Sequence, residues 1–273
     1  MNGVDRSEFS SLAKLVLISL GASIFILLIM LPMSSLFRFA FEDGLEGFWR
    51  AATSEKASNA FTNSLIVAAA ATAINLVVGT LVAYVVTRYH FIGRSVFRSL
   101  IDLPIAIPTA VVGLALMILY GPQGLLGSLL ESSGFKIVMA KPGVILAHIF
   151  VTFPFVVRSV SVSLEKFDRD LEDAARTLGA SGPRIFLKVV LPSIRSGIIS
   201  GCAMVFTRSL GEFGATLFIA GGMVMTGPLY IYYLSDSSFD YQAATSVAIV
   251  LLVIPFLLLL TTNIVVSRME DGK

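Results

Sequence analysis

The chain has 273 residues, of which 56% are apolar and only 14% charged, against ~45–50% apolar and ~25% charged in soluble domains. A mean hydropathy of +0.86, with 20 Phe and 22 Gly, is too high and too widely spread for one anchor, which excludes a soluble enzyme and predicts an all-α, polytopic membrane protein. The net charge of +2 says little as a total, and the single Cys202 leaves no disulfide framework and no Cys-based metal site.

In chain order, the long uncharged intervals predict six transmembrane helices. Leu15 to Phe37 is the first, read as a helix because its 23 uncharged residues lack a small-residue cleavage site. An outer loop, Arg38 to Asn59, carries no assignable feature. Phe61 to Thr87 is the second span and Leu103 to about Tyr120 the third, closed by the turn residues Gly121 to Gly124. Pro104 and Pro108 fall in the first turns of the third span, with Asp102 as its expected N-cap and Pro108 expected to kink it. Pro142 to Val157 is the fourth span, Gly197 to Ala220 the fifth and Ala243 to Val266 the sixth. With both termini inside, 14 Lys and Arg lie on the inner side and 5 on the outer, and Arg208 lies within the fifth span. That asymmetry favours N-in, C-in. The organisation expected is a tail, first span and outer loop over 1–60, a transmembrane core over 61–266 with a long inner loop at 158–195, and an inner tail over 267–273.

The inner loop is too long for a structureless connection. Leu171 to Leu178 is helical by composition, Gly179 supplies a stop, Ser181 an N-cap and Pro183 a first-turn residue for a second helix, about Gly182 to Val190. Ile185, Phe186, Val189 and Val190 give that helix one apolar face, with Arg184 and Lys188 on another, an arrangement able to enter a partner's groove.

The run Asp173-Ala174-Ala175, three residues, Gly179, nine residues, Val189-Val190-Leu191-Pro192 resembles the EAA motif of ABC importer permeases. Asp173 stands where Glu is usual, with Glu172 beside it, and Val189 where Ile is usual. The resemblance implies that Glu172, Asp173, Ala174, Ala175, Gly179, Val189, Leu191 and Pro192 form the coupling element docking on a separate ATPase. The segments Ile101 to Gly127, His148 to Val160 and Thr207 to Gly222 are similar to sulfate/thiosulfate permease subunits, and nearly as much to molybdate and tungstate permeases. This implies the type I importer permease fold. It also implies a dimer of identical or homologous permease subunits, two ATPase subunits and an extracytoplasmic substrate-binding protein.

No G-x-x-x-x-G-K-[ST] occurs, and none of the seven Lys precedes Ser or Thr, so energy must come from a partner or an ion gradient. A gradient-driven carrier acting alone is the alternative from a different class; a membrane enzyme lacks any acid, base or metal cluster. No catalytic residue, cofactor, metal or nucleic-acid partner is expected, and membrane lipid is the surrounding solvent. His148 reads as a hydrogen-bonded packing residue. Arg208 and Glu212 sit four apart on an expected helix face, either as a structural ion pair or, with Pro108, as part of an anion pathway to which Thr207, Ser209 and Thr216 would add hydroxyls. Gly197 and Gly201 form a G-x-x-x-G that suits packing within the subunit or between subunits. Tyr230, Tyr232 and Tyr233 are expected in an outer aromatic belt, followed by Asp236 and Asp240 on the outer side.

Overall fold

The computed structural model describes residues 11–271, so the charges Arg6 and Lys273 lie outside the described residues. Among those residues every regular element is helical. α1 (Ser11–Phe25), a π turn (Ile26–Met30) and α2 (Leu31–Ala40) run on as one apolar rod. Its side chains are almost all exposed, and only the end of α2 packs on the rest. There the Ala40 carbonyl accepts from Gln242 Nε2 and Ser246 Oγ. A helix end left in lipid would have no such partner. α3 (Gly44–Ala52) fills the expected outer loop and packs on the last helix through Phe48.

α4 (Glu55–Arg88) is capped by the Ser54 hydroxyl, which accepts from the Ala57 amide. Its buried stripe, Ala57, Ala60, Ser64, Val67, Ala71, Asn75, Gly79 and Ala83, repeats at three- and four-residue steps and is mostly small. Small side chains let backbones approach where lipid offers no hydrophobic drive. A Cβ at Gly79 would lie 2.9 Å from Val156 Cγ1.

α5 (Arg94–Ala106) and α6 (Thr109–Tyr120) replace the expected third span with two helices meeting at 104°. Pro108 is therefore a break, stronger than the kink expected. It offers no N–H, and it pushes Ile107 out of the helical region to φ −87°, ψ 132°. Asp102 does not cap a helix: it lies inside α5 and accepts from Arg158 Nε at 2.7 Å. After α7 (Gly127–Ser132), α8 (Lys141–Lys166) runs well past Arg158, so the first residues assigned to the inner loop are helical. α8 is the most buried of the long helices, and α4, α8 and α12 (Arg195–Leu210) pack on one another as the centre of the bundle.

Between α8 and α12 lie α9 (Asp170–Thr177), α10 (Gly182–Ile185), a π turn (Phe186–Val190) and α11 (Leu191–Ser193). The stretch Gly182–Ser193 bends by 72° into α12. The expected fifth span is not one helix: α12 stops at Leu210 and α13 (Gly214–Ala220) starts after a break. α14 (Gly227–Tyr232) and a π turn (Tyr233–Ser237) lead into α15 (Tyr241–Asp271), so the tyrosine cluster is helical and Tyr230 is buried. Among the described residues four helices are long and apolar enough to cross a membrane, and counting each bent pair as one span gives up to six.

Candidate coupling element and transmembrane polar cluster

The hairpin from α9 to α11 is closed by backbone chemistry legible in its sequence. Gly179 adopts φ +83°, the left-handed region where a Cβ is penalised. Its amide donates to Arg176 O at 2.9 Å, and the Ala180 amide to Ala175 O at 3.0 Å, which together satisfy the end of α9 in a Schellman arrangement. Pro183 sits in the first turn of α10, and Ser181 holds the N-cap position without a side-chain cap bond.

The structure divides the expected coupling residues between two faces. Asp173, Ala174 and Gly179 are exposed, as are Pro192, Arg184 and Lys188; Leu178 beside them is 88% exposed. Ile185 and Val190 are buried against Val86, Ile101, Val160 and Leu164, with Ala175, Phe186 and Val189 partly buried around them. The apolar face of the second helix therefore seats on its own bundle and does not point to a partner. Leu191 is half-buried and shares an apolar groove with Leu76, Val77 and Leu81 of α4.

Glu172 departs furthest from the expectation. It is buried, and its Oε1 lies 2.8 Å from Arg88 Nη2 at the end of α4, with both side chains no more than 10% exposed. Tyr84 donates its hydroxyl to Glu172 Oε2 at 3.4 Å, and the Arg88 guanidinium lies over the Phe167 ring, 5.4 Å from its centroid. No pattern within the loop reveals this partner, which stands 84 positions away in another element. The one sequence signal was a basic residue at the inner end of the second span.

A second polar cluster is buried among α8, α12 and α13. His148 Nδ1 is 2.6 Å from Ser209 Oγ and Nε2 is 2.8 Å from Thr216 Oγ1. Thr216 gives its proton to Glu212 O, so the consistent assignment has Nε2–H donating to Thr216 and Nδ1 accepting from Ser209. His148 is thus a hydrogen-bonded packing residue, as its sequence context suggests. Ser209 and Thr216 are both buried and engaged in this network. Thr152 extends the network, donating to His148 O at 2.6 Å and accepting from Asn75 Nδ2 at 2.9 Å.

Arg208 and Glu212 do meet, Nη2 to Oε2 at 2.7 Å, but not on one helix face, because Glu212 lies in the break after α12. The Glu212 Oε1 accepts from the Ala215 amide at 2.9 Å and so caps the first turn of α13. Glu212 is 1% exposed and Arg208 37%, so the arginine alone of the pair reaches the surface of the cluster. The break at Pro108 lies beside this one: Gly214 packs so closely on Thr109 and Ala110 that a Cβ would meet both. Gly113 crosses Ala215 with the same closeness. The G-x-x-x-G at Gly197 and Gly201 is filled from within the subunit, by Ser163 and Ser159 and by the Val156 backbone.

A bundle of long apolar helices, two of them broken, with a closed polar hairpin at one end, defines a multi-pass membrane protein of the permease class. Residues 75–271 match the family of binding-protein-dependent transport system inner membrane components, and the chain belongs to that family, which makes it a multi-pass protein of the inner membrane. It is 38% identical to the sulfate transport system permease protein CysT of Salmonella typhimurium over 92% of each chain, and 36% identical to the sulfate transport system permease protein CysW of Synechocystis sp. over 95% of each. Its fold matches a chain of a bacterial alginate ABC transporter solved with an alginate-bound periplasmic protein, at a TM-score of 0.77, 20% identity and 93% and 94% coverage. A chain of the MetNI methionine ABC transporter matches at a TM-score of 0.55 and 17% identity, over 82% of this chain and 94% of that one.

Proposed function

We propose that this chain is the permease subunit of an ATP-driven importer of sulfate. It pairs with a second permease subunit, identical or homologous, on two ATPase subunits and beneath an extracytoplasmic binding protein. The observation that carries the reading is the hairpin's outward face. Asp173, Ala174, Leu178 and Gly179 are presented on a Schellman-closed element, exposed with respect to all the described residues. The small residues admit a partner's backbone, and Leu178 supplies an apolar contact of the kind that anchors an interface. Sulfate is favoured because relatives named as sulfate permeases match nearly the whole chain. The gathering of Arg88, Arg94, Arg98 and the hairpin's Arg169, Arg176, Arg184 and Lys188 at one end supports N-in, C-in.

The two helix breaks that meet at Pro108 and Gly214 place irregular backbone inside the bundle, where it is tolerated only against protein or a water-filled path. Arg208 beside them lends positive potential to that path, while Glu212 fixes its position. ATP-driven closure of the partner would move the hairpin and alternate the openings of the two bundles. Uptake of labelled sulfate into proteoliposomes holding the whole complex tests this, with and without ATP, against excess thiosulfate, molybdate or tungstate. ATP-dependent uptake competed by thiosulfate is the expected result. Competition by molybdate or tungstate at far lower concentration would reassign the substrate, and uptake indifferent to ATP would point to a gradient-driven carrier.

A further inference from the structure

Besides its two chain ends and the apolar face that Ile185 and Val190 seat on the bundle, the hairpin has a polar attachment that leads to the opposite end of the molecule. Arg88, the last residue of α4, holds Glu172 of α9 in a pair almost wholly out of solvent. The two charges cannot be drawn apart without leaving each buried and uncompensated, so the contact resists extension as well as compression. The joint is broadened by Tyr84, one turn earlier, which packs edge-on against Phe186 with ring centroids 5.0 Å apart while donating to Glu172. α4 then runs 34 residues without an internal break, a rod of about 50 Å. Near its other end Asn63 Nδ2 donates to Met225 O at 2.9 Å, and Ser64 Oγ accepts from the Gly227 amide at 2.8 Å. These bonds grip the loop between α13 and α14, in which Gly221 and Gly222 both take positive φ and Met223 is 73% exposed.

We infer that α4 is a transmission rod: Arg88–Glu172 couples it to the hairpin, and Asn63 and Ser64 couple it to the loop 221–227 at the far end. Docking of a loaded binding protein at that loop and ATP hydrolysis at the hairpin are thereby linked through one helix. Glu172, Asn63 and Ser64 are positioning residues that touch neither substrate nor nucleotide. The inference rests on the hairpin being the ATPase contact.

The test uses the complete complex in proteoliposomes and reads ATP hydrolysis with and without sulfate-loaded binding protein. Arg88→Gln and Asn63→Ala should each lower the stimulation by loaded binding protein at least about fivefold, the lower end of typical coupling between sites. Unstimulated hydrolysis per assembled complex should stay unchanged, while Arg88→Gln, which leaves Glu172 buried without its partner, should lower the yield of complex. The swapped pair Arg88→Glu with Glu172→Arg should restore most of the stimulation, which a variant that merely failed to fold could not do. Normal stimulation in both single variants would overturn the rod, as would single-variant losses of assembly that the swapped pair leaves uncorrected. A wild-type complex showing no stimulation would instead overturn the functional reading on which the rod depends.

Discussion

Glu172 and Glu212 are both buried and both face an arginine at under 3 Å, yet they do different work. Glu212 is held by Arg208, four residues earlier, and by the Ala215 amide three residues later. It repairs a local break and keeps one short helix in place. Glu172 is held by Arg88, 84 residues earlier on another helix, and ties a surface hairpin to the bundle's centre. A local pair stabilises the segment that contains it, whereas a distant pair makes two segments move together. A buried charge pair in this protein therefore has to be judged by how much chain it spans.

The sharpest way to break the comparison is at Glu212. Glu212→Ala removes the partner of Arg208, which at 37% exposure can still reach polar surroundings, and uncaps the first turn of α13, a loss of about 1–3 kcal/mol, so the amount of folded protein in membranes should fall. Arg208→Lys keeps the charge but not the planar fork; folded protein should persist while sulfate uptake falls about tenfold, or ~1.4 kcal/mol. Glu172→Gln should cost about 1–3 kcal/mol through its unsatisfied buried partner, read as a lower Tm in detergent with the protein still present. Gly179→Ala should cost only about 1–2 kcal/mol for a side chain in the left-handed region, since a Cβ there meets nothing within 4 Å. The bulkier Gly179→Trp should add little to that cost yet abolish uptake. Asp102→Ala, which removes the partner of the exposed Arg158, should change Tm by no more than ~1 kcal/mol of stability would.

Sequence reading reached what is local and periodic. The apolar intervals, the Gly179 stop, the α9 helix and the packing role of His148 all follow from residues close together in the chain. Pro108 was legible as a disturbance but not as a 104° break, because the angle depends on α6 finding α13 to pack on through Gly113 and Gly214. The second break was hidden because Gly211, Glu212 and Gly214 lie in an apolar interval that reads as continuous, and only the tertiary pairing shows that Glu212 caps instead of continuing the helix. Glu172, expected within the coupling element, turns inward onto Arg88, and no local pattern announces it. Its neighbours in the motif do face outward, and on an α-helix adjacent residues point about 100° apart, so one position decided which carboxylate met Arg88. The apolar stripe of the second hairpin helix carried an inherent ambiguity, since an apolar face serves an internal core and a partner's groove equally well.

The outward face of the hairpin is the surface an ATPase would grip, and sided labelling of one position addresses it directly. In a Cys202→Ser background, which removes the only native thiol, Leu178→Cys places a reactive group on that face at a position 88% exposed. A membrane-impermeant maleimide should label it in inside-out vesicles and not in right-side-out ones, and addition of the ATPase subunits should protect it. Labelling from the outer side, or reactivity in inside-out vesicles that the bound ATPase leaves unchanged, would contradict the docking of this hairpin on an ATPase.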